Sequence, residues 1–177
     1  MGEATLTDWR QLADATFVRD DAAFEALFDA HHAGAYRLAM LLAGGEAALA
    51  EDAVSEAFVQ VLPRWRAGSV DDFGPYLRRV VVNQVKRAFR TRALVRRHQP
   101  LFEVGSITTE DQVVRKQIVW AALQALPPKQ RAAVVLHYYE ALPLDEVAAA
   151  MGTSLGTAKS NLARGREHLR PLLEELR

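Results

Sequence analysis

Residues 126–173 read LPPKQRAAVVLHYYEALPLDEVAAAMGTSLGTAKSNLARGREHLRPLL. After Pro127-Pro128, Ala132–Tyr139 is an apolar run of helical period, and Leu144–Met151 is a second, alanine-rich one. Gly152 follows as the residue that most readily ends a helix, because left-handed backbone carries no Cβ penalty there. Thr153 and Ser154 then offer hydroxyls to cap a third helix. In that helix Leu155, Ala158, Leu162 and Leu169 share one face, while Gly156, Thr157, Lys159, Ser160, Asn161 and Arg164 occupy the other. The pattern predicts a helix-turn-helix whose last helix presents small, polar and basic groups outward. Such groups suit a major groove: short side chains permit close approach, amides and guanidinium groups reach base edges, and hydroxyls and lysine hold phosphates. Helix–glycine–helix alone would serve equally for an αα-hairpin in a bundle, so the rest of the chain has to decide.

The 177 residues allow one domain or two small ones, and with half of them apolar the chain can bury real cores. Seven prolines and ten glycines argue against disorder. The absence of cysteine excludes disulfides and cysteine-ligated zinc and fits a reducing cytosol. No apolar run approaches the ~18 residues that a membrane span takes, so no membrane insertion is expected. The acidic N-terminus lacks the basic start and apolar core of a signal peptide, and a cytoplasmic location is expected. No domain is expected after Arg177, nor regulation by one. Formal net charge is zero, yet residues 1–62 hold eleven acidic side chains against Arg10, Arg19 and Arg37. Residues 73–102 hold Arg78, Arg79, Lys86, Arg87, Arg90, Arg92, Arg96 and Arg97 with no acid among them. A helix that only needs solubility mixes signs, because like charges at i,i+4 repel. The asymmetry points to two partners, one basic and one polyanionic.

Periodicity predicts an all-α chain. Helices are expected at 8–19, 22–42 and 47–65, with Gly44-Gly45 as a break and Pro63 bending or ending the third. A loop over 66–72 leads to a long helix over 73–97, in which Tyr76, Leu77, Val80, Val81, Val85 and Phe89 face a core. Residues 98–110, with Pro100, Gly105 and several hydroxyls, read as a linker. A helix over 111–126 follows, with Val114, Ile118, Ala121, Ala122 and Leu126 on one side. The tryptophans Trp9, Trp65 and Trp120 fall on apolar stripes and are expected in cores. The architecture is two small helical domains joined by a flexible linker, the second containing the helix-turn-helix.

Several blocks make this reading specific. Leu126-Pro127, Gln130-Arg131, the block Glu140–Leu144, Glu146-Val147-Ala148 and Gly156-Thr157-Ala158-Lys159-Ser160 resemble the C-terminal promoter-reading domain of bacterial sigma factors of the extracytoplasmic-function (ECF) group. Phe73–Arg87, FGPYLRRVVVNQVKR, resembles the segment by which these factors recognise and open the −10 promoter element, in the form common in actinobacterial members. Ala50–Val59, AEDAVSEAFV, resembles their docking surface for the clamp helices of the RNA polymerase β′ subunit.

The resemblance covers residues 22–97 and 111–173 and implies a division of the chain. Residues 1–98 would bind polymerase and read the −10 element, 99–110 would thread near the RNA exit path, and 111–177 would read the −35 element. Glu51, Asp52, Ser55, Glu56 and Val59 would meet the polymerase; acids toward a helix's N-terminus, here Glu51 and Asp52, also favour its dipole without any partner. Arg78, Arg79, Asn83, Lys86, Arg87 and Arg90 would take the −10 strand. Asn83 would sit in a loop that holds a flipped base, a role its donating and accepting amide suits. Ser154, as cap, and Thr157, Lys159, Ser160, Asn161 and Arg164 would meet the −35 element. Implied partners are core RNA polymerase, through β′ clamp helices and β flap, promoter DNA and an anti-sigma factor. Two departures stand out: Asn161 replaces a usual arginine, and Gly165 a common alanine. A mid-helix glycine costs about 1 kcal/mol, so bending or fraying beyond Arg164 is expected.

Nothing points to catalysis. There is no glycine-rich phosphate loop, nucleophile elbow or paired carboxylate in an apolar setting. His31, His32, His98, His137 and His168 lack metal-site spacing, so neither metal nor cofactor is expected. The competing readings are a dimeric helix-turn-helix regulator, for which no apolar dimer seam is visible, and a sigma-like interaction module without promoter activity.

Overall fold

The structure, a computed structural model, describes residues 19–95 and 120–174. The helix expected over 8–19, the linker, the residues before 120, and Arg96 and Arg97 lie outside the described residues. Helix α1 spans Asp21–Ala43, α2 Ala47–Arg66 and α3 Phe73–Val95. After a helical segment at 120–125 come α4 (Pro128–Val134), continued by a π-helical turn (Val135–Tyr139), then α5 (Leu144–Met151) and α6 (Leu155–Glu174). No strand occurs among the described residues.

Helices α1–α3 form a three-helix unit around Leu38, Leu42, Leu49, Val54, Val61 and Val81, all almost wholly buried. Its open end is closed by rings. Phe24 meets Phe58, Trp65 and Phe73 at centroid distances of 6.3, 5.5 and 6.0 Å, and Phe28 meets Phe58 at 4.7 Å. The side chain of Asp20 caps α1 by accepting from the Ala23 N–H at 2.8 Å. Gly44, at φ +69°, and Gly45 end α1: their N–H groups donate to Leu41 and Met40 carbonyls. This paired bonding needs left-handed backbone at Gly44. Pro63 does not end α2, which runs on to Arg66. Proline removes one N–H, and here both Pro63 and Val59, whose carbonyl loses its partner, stand on the exposed side where water serves.

The C-terminal unit encloses Leu136, Val147, Ala158 and Leu162 between α4, α5 and α6. Leu155, expected on the buried face, is 43% exposed at the first position of α6. Ala121, expected on the packed side, is exposed, while its neighbour Ala122 is buried. The apolar run Ala132–Tyr139 is helical but widens into the π turn, with Glu140 N–H donating to Val135 O and the His137 ring N–H to Leu142 O. The wider turn sends Tyr138 and Tyr139 outward.

The two units touch. Gln124 Nε2 donates to Gly44 O at 2.8 Å, and Arg131 donates to Leu42 O at 3.3 Å and Leu126 O at 3.1 Å. The Arg131 guanidinium lies 5.8 Å from the Phe89 ring centroid, buried and with no carboxylate partner among the described residues. Burial holds it below its usual pKa. A Cβ at Gly44 would collide with Arg131, and one at Gly45 would come within 2.5 Å of Trp120 Nε1.

Leu49, 2% exposed, anchors α2 in the N-terminal core. Leu49→Ala should lower stability by about 2–5 kcal/mol, read from the urea midpoint.

Candidate nucleic-acid interface

Helix α3 is divided by its packing. Leu77, Val80, Val81, Val82 and Val85 are buried, including Val82, which the sequence reading had not placed in the core. Arg79, Asn83, Arg87 and Arg90 are exposed and fall on one stripe at helical spacing. Asn83 therefore stands in the middle of a continuous helix and not in a loop, with Val80–Val82 before it and Val85 after it buried in the core. Arg78 and Lys86 do not share the open stripe's freedom. Arg78 Nε donates to Glu140 Oε2 at 2.7 Å, and Lys86 Nζ donates to the Met151 carbonyl at 2.7 Å. Burial, with Arg90 and Lys129 nearby, lowers the Lys86 ammonium from its usual pKa.

The outer face of α6 carries the other predicted group. Ser154 Oγ accepts from the Thr157 N–H at 3.2 Å, so the predicted cap forms. Ser154 and Thr157 hydroxyls also bond each other at 2.9 Å, and Asn161 Nδ2 donates to Thr157 O at 2.8 Å. The amide of Asn161 is thus folded onto its own helix, whereas Lys159, Ser160 and Arg164 stand exposed. Glycine at 165 does not fray α6, which continues to Glu174. Gly165 is buried where α6 crosses α4: a Cβ would lie 2.7 Å from Val134 Cγ2 and 3.3 Å from Gln130 O. Close helix approach, not a bend, explains the glycine.

On α2, Glu51, Asp52, Ser55 and Glu56 are exposed, and Val59 is 69% exposed. A shallow groove between α2 and α3, lined by Asp52, Glu56, Gln84 and Arg87, brings the acidic face up to the cationic stripe. Gln84 Nε2 donates to Gln60 Oε1 at 2.8 Å and ties the two helices along it. No group of three or more histidine, cysteine or acidic side chains suited to a metal occurs among the described residues. None of the described helices is long and apolar enough to cross a membrane.

Residues 27–95 match the family "Sigma-70 region 2", and residues 116–169 match "Sigma-70, region 4". An RNA polymerase sigma-E factor of Streptomyces antibioticus is 35% identical over 130 residues, 71% of this chain and 71% of that protein. The chain belongs to the ECF group of RNA polymerase sigma factors. The ECF sigma factor SigE of Mycolicibacterium smegmatis is 33% identical over 158 residues, 85% of this sigma factor, which spans 61% of SigE's length. A solved structure of the sigma factor RpoE in complex with the anti-sigma factor NepR from Bartonella quintana shares the fold. Its TM-score is 0.71 at 22% identity, covering 86% of this chain and 97% of that one. The sequence reading of the sigma factor missed the residues that join its two units, Gln124, Arg131 and Glu140. The one available signal was Arg131, a cation at the head of the apolar helical run Ala132–Tyr139.

Gly165→Ala separates packing from propensity. Alanine favours an isolated helix by about 1 kcal/mol, but the crowded Cβ should reverse the sign. A net loss of about 1–3 kcal/mol is expected, read from thermal or urea unfolding.

Proposed function

We propose that this sigma factor binds core RNA polymerase through the acidic face of α2 and directs it to promoters with two DNA-facing helices. In this reading residues 1–98 are the polymerase-binding and −10 half, 99–110 the connection and 111–177 the −35 half. Glu51, Asp52 and Glu56 meet basic groups of the β′ clamp helices around the exposed Val59, and the β flap receives the C-terminal unit. Arg79, Asn83, Arg87 and Arg90 take the −10 strand, joined by Arg78 and Lys86. Lys159, Ser160 and Arg164 enter the major groove at −35, with Ser154 and Thr157 setting the start of the helix and Asn161 bracing it. The observation that carries the reading is one three-helix unit with acids on α2 and an acid-free cationic stripe on α3.

The sigma factor lends specificity and strand opening, and catalysis belongs to the polymerase, in the cytoplasm. By analogy with the Bartonella complex, an anti-sigma factor covering the DNA-facing surfaces is the expected regulator.

Run-off transcription with purified core polymerase on a library of promoter fragments tests this. Discrete new start sites sharing a two-part upstream motif are expected; core binding without new starts would refute the promoter role. Reversing Glu51, Asp52 and Glu56 to lysine should abolish co-purification with core polymerase while helicity by circular dichroism stays unchanged. Asn83→Ala should lower open-complex yield, read by permanganate footprinting, by about tenfold or more while polymerase binding holds. That is the size expected from a lost bidentate base contact.

A further inference from the structure

Residues 73–102 carry eight cations, and Lys86 is the one lysine among seven arginines. A guanidinium stays charged, whereas an ammonium gives up its proton where its surroundings disfavour charge, and the amine left behind is a nucleophile. The surroundings of Lys86 are of that kind. It is half-buried where α3 meets α5, and its Nζ donates to the Met151 carbonyl at 2.7 Å. That partner is neutral, and among the described residues no carboxylate forms an ion pair with Lys86. Arg90, one turn on along α3, and Lys129, in the first turn of α4, add two positive charges close by. The two helices meet here, the α4 residue Arg131 placing its guanidinium against the α3 residue Phe89. Burial above all, then Arg90 and Lys129, holds the Lys86 ammonium below its ordinary pKa. Beside the amine the chain turns at Gly152, at φ +60°. A Cβ there would lie 3.8 Å from Nζ, so this exposed residue has no side chain to cover the amine.

From this cluster we infer that Lys86 is a site of Nε-acylation by an acyl phosphate, with Arg90 and Lys129 holding the phosphate of the incoming reagent. Guanidinium and ammonium groups suit that anion, and both residues are exposed. Lys86 first gives its ammonium proton to water. The amine attacks the acyl carbonyl carbon and an N–C bond forms. The bond from that carbon to the bridging phosphate oxygen breaks, and inorganic phosphate leaves with the electron pair. The nitrogen then gives a second proton to phosphate or water. The amide that results keeps one N–H, which is what the Met151 carbonyl needs, and carries no charge. Acylation therefore removes one cation from α3 while the exposed arginines 79, 87 and 90 keep theirs. No arginine in the stretch can undergo this step, which sets position 86 apart from its seven cationic neighbours.

The test incubates the full chain with acetyl phosphate at neutral pH and follows acetyl occupancy at each lysine by peptide mass spectrometry. Lys159, exposed on α6, serves as the internal reference. Lys86 should acylate on the order of fivefold faster than Lys159, from its larger unprotonated fraction and the held phosphate. Arg90→Gln and Lys129→Gln should each slow Lys86 and leave Lys159 as it was. An uncharged acetyl ester, used as the donor in a parallel series, separates the two contributions of the neighbouring cations. Both substitutions should cost Lys86 less with the ester than with acetyl phosphate, because only the second donor has a phosphate to hold. Equal rates at Lys86 and Lys159 would overturn the site. So would a Lys86 rate with acetyl phosphate that is indifferent to both substitutions. Equal slowing with the two donors would overturn the phosphate-holding role of Arg90 and Lys129. Circular dichroism of each variant confirms that the compared chains are folded alike.

Discussion

Eight cations within thirty residues, with no acid among them, cannot all be buried and cannot pair with one another. The arrangement of the described chain follows from that constraint. Helix α3 turns its valines into the core of the N-terminal unit, which leaves arginine and lysine on the remaining faces. Partners must then come from elsewhere in the chain, or from another molecule. Two of the cations find partners on the C-terminal unit, in Glu140 and the end of α5. Three, Arg79, Arg87 and Arg90, stay in water as an open stripe. Half of the chain's acids fall within residues 1–62, and those of α2 approach the stripe along a shallow groove. Two surfaces of opposite sign are kept side by side without cancelling.

The recognition helix obeys a different constraint. Its outer face has to be both chemically varied and fixed in position. The cap at Ser154 and the bonds running through Thr157 to Asn161 tie the first two turns into one hydrogen-bonded strip. Behind it, Gly165 lets α6 seat directly on α4. The helix is held from its buried side by contact with Val134 and from its start by its own hydroxyls, which leaves Lys159, Ser160 and Arg164 as the adjustable members.

Helix positions were legible because hydrophobic period is a local signal, and α2, α3 and α5 fell within a residue or two of their expected bounds. The helix-turn-helix was legible for the same reason, since Gly152 and Ser154 act within a few residues of themselves. What escaped was long-range. Nothing local distinguishes Arg78 from Arg79; only the arrival of Glu140, 62 residues on, does so. Gly165 looks like a weak point in a helix until Val134 is brought against it. Asn83 was assigned to a loop by resemblance, and it stands in mid-helix between buried valines. The widening at Val135–Tyr139 has no periodic signature, because an apolar run reads alike as α or π.

The corner at Gly44-Gly45 bears on how such proteins diversify. The end of α1 is shaped to Arg131 and Trp120, which belong to the other half of the chain. The halves of this sigma factor are therefore not freely exchangeable parts. A chimera that brought a larger residue to position 44 or 45 could fold each half well and still hold them apart from the outset. Inheritance at that corner is joint: the glycines and the side chains that fill the space above them have to travel together.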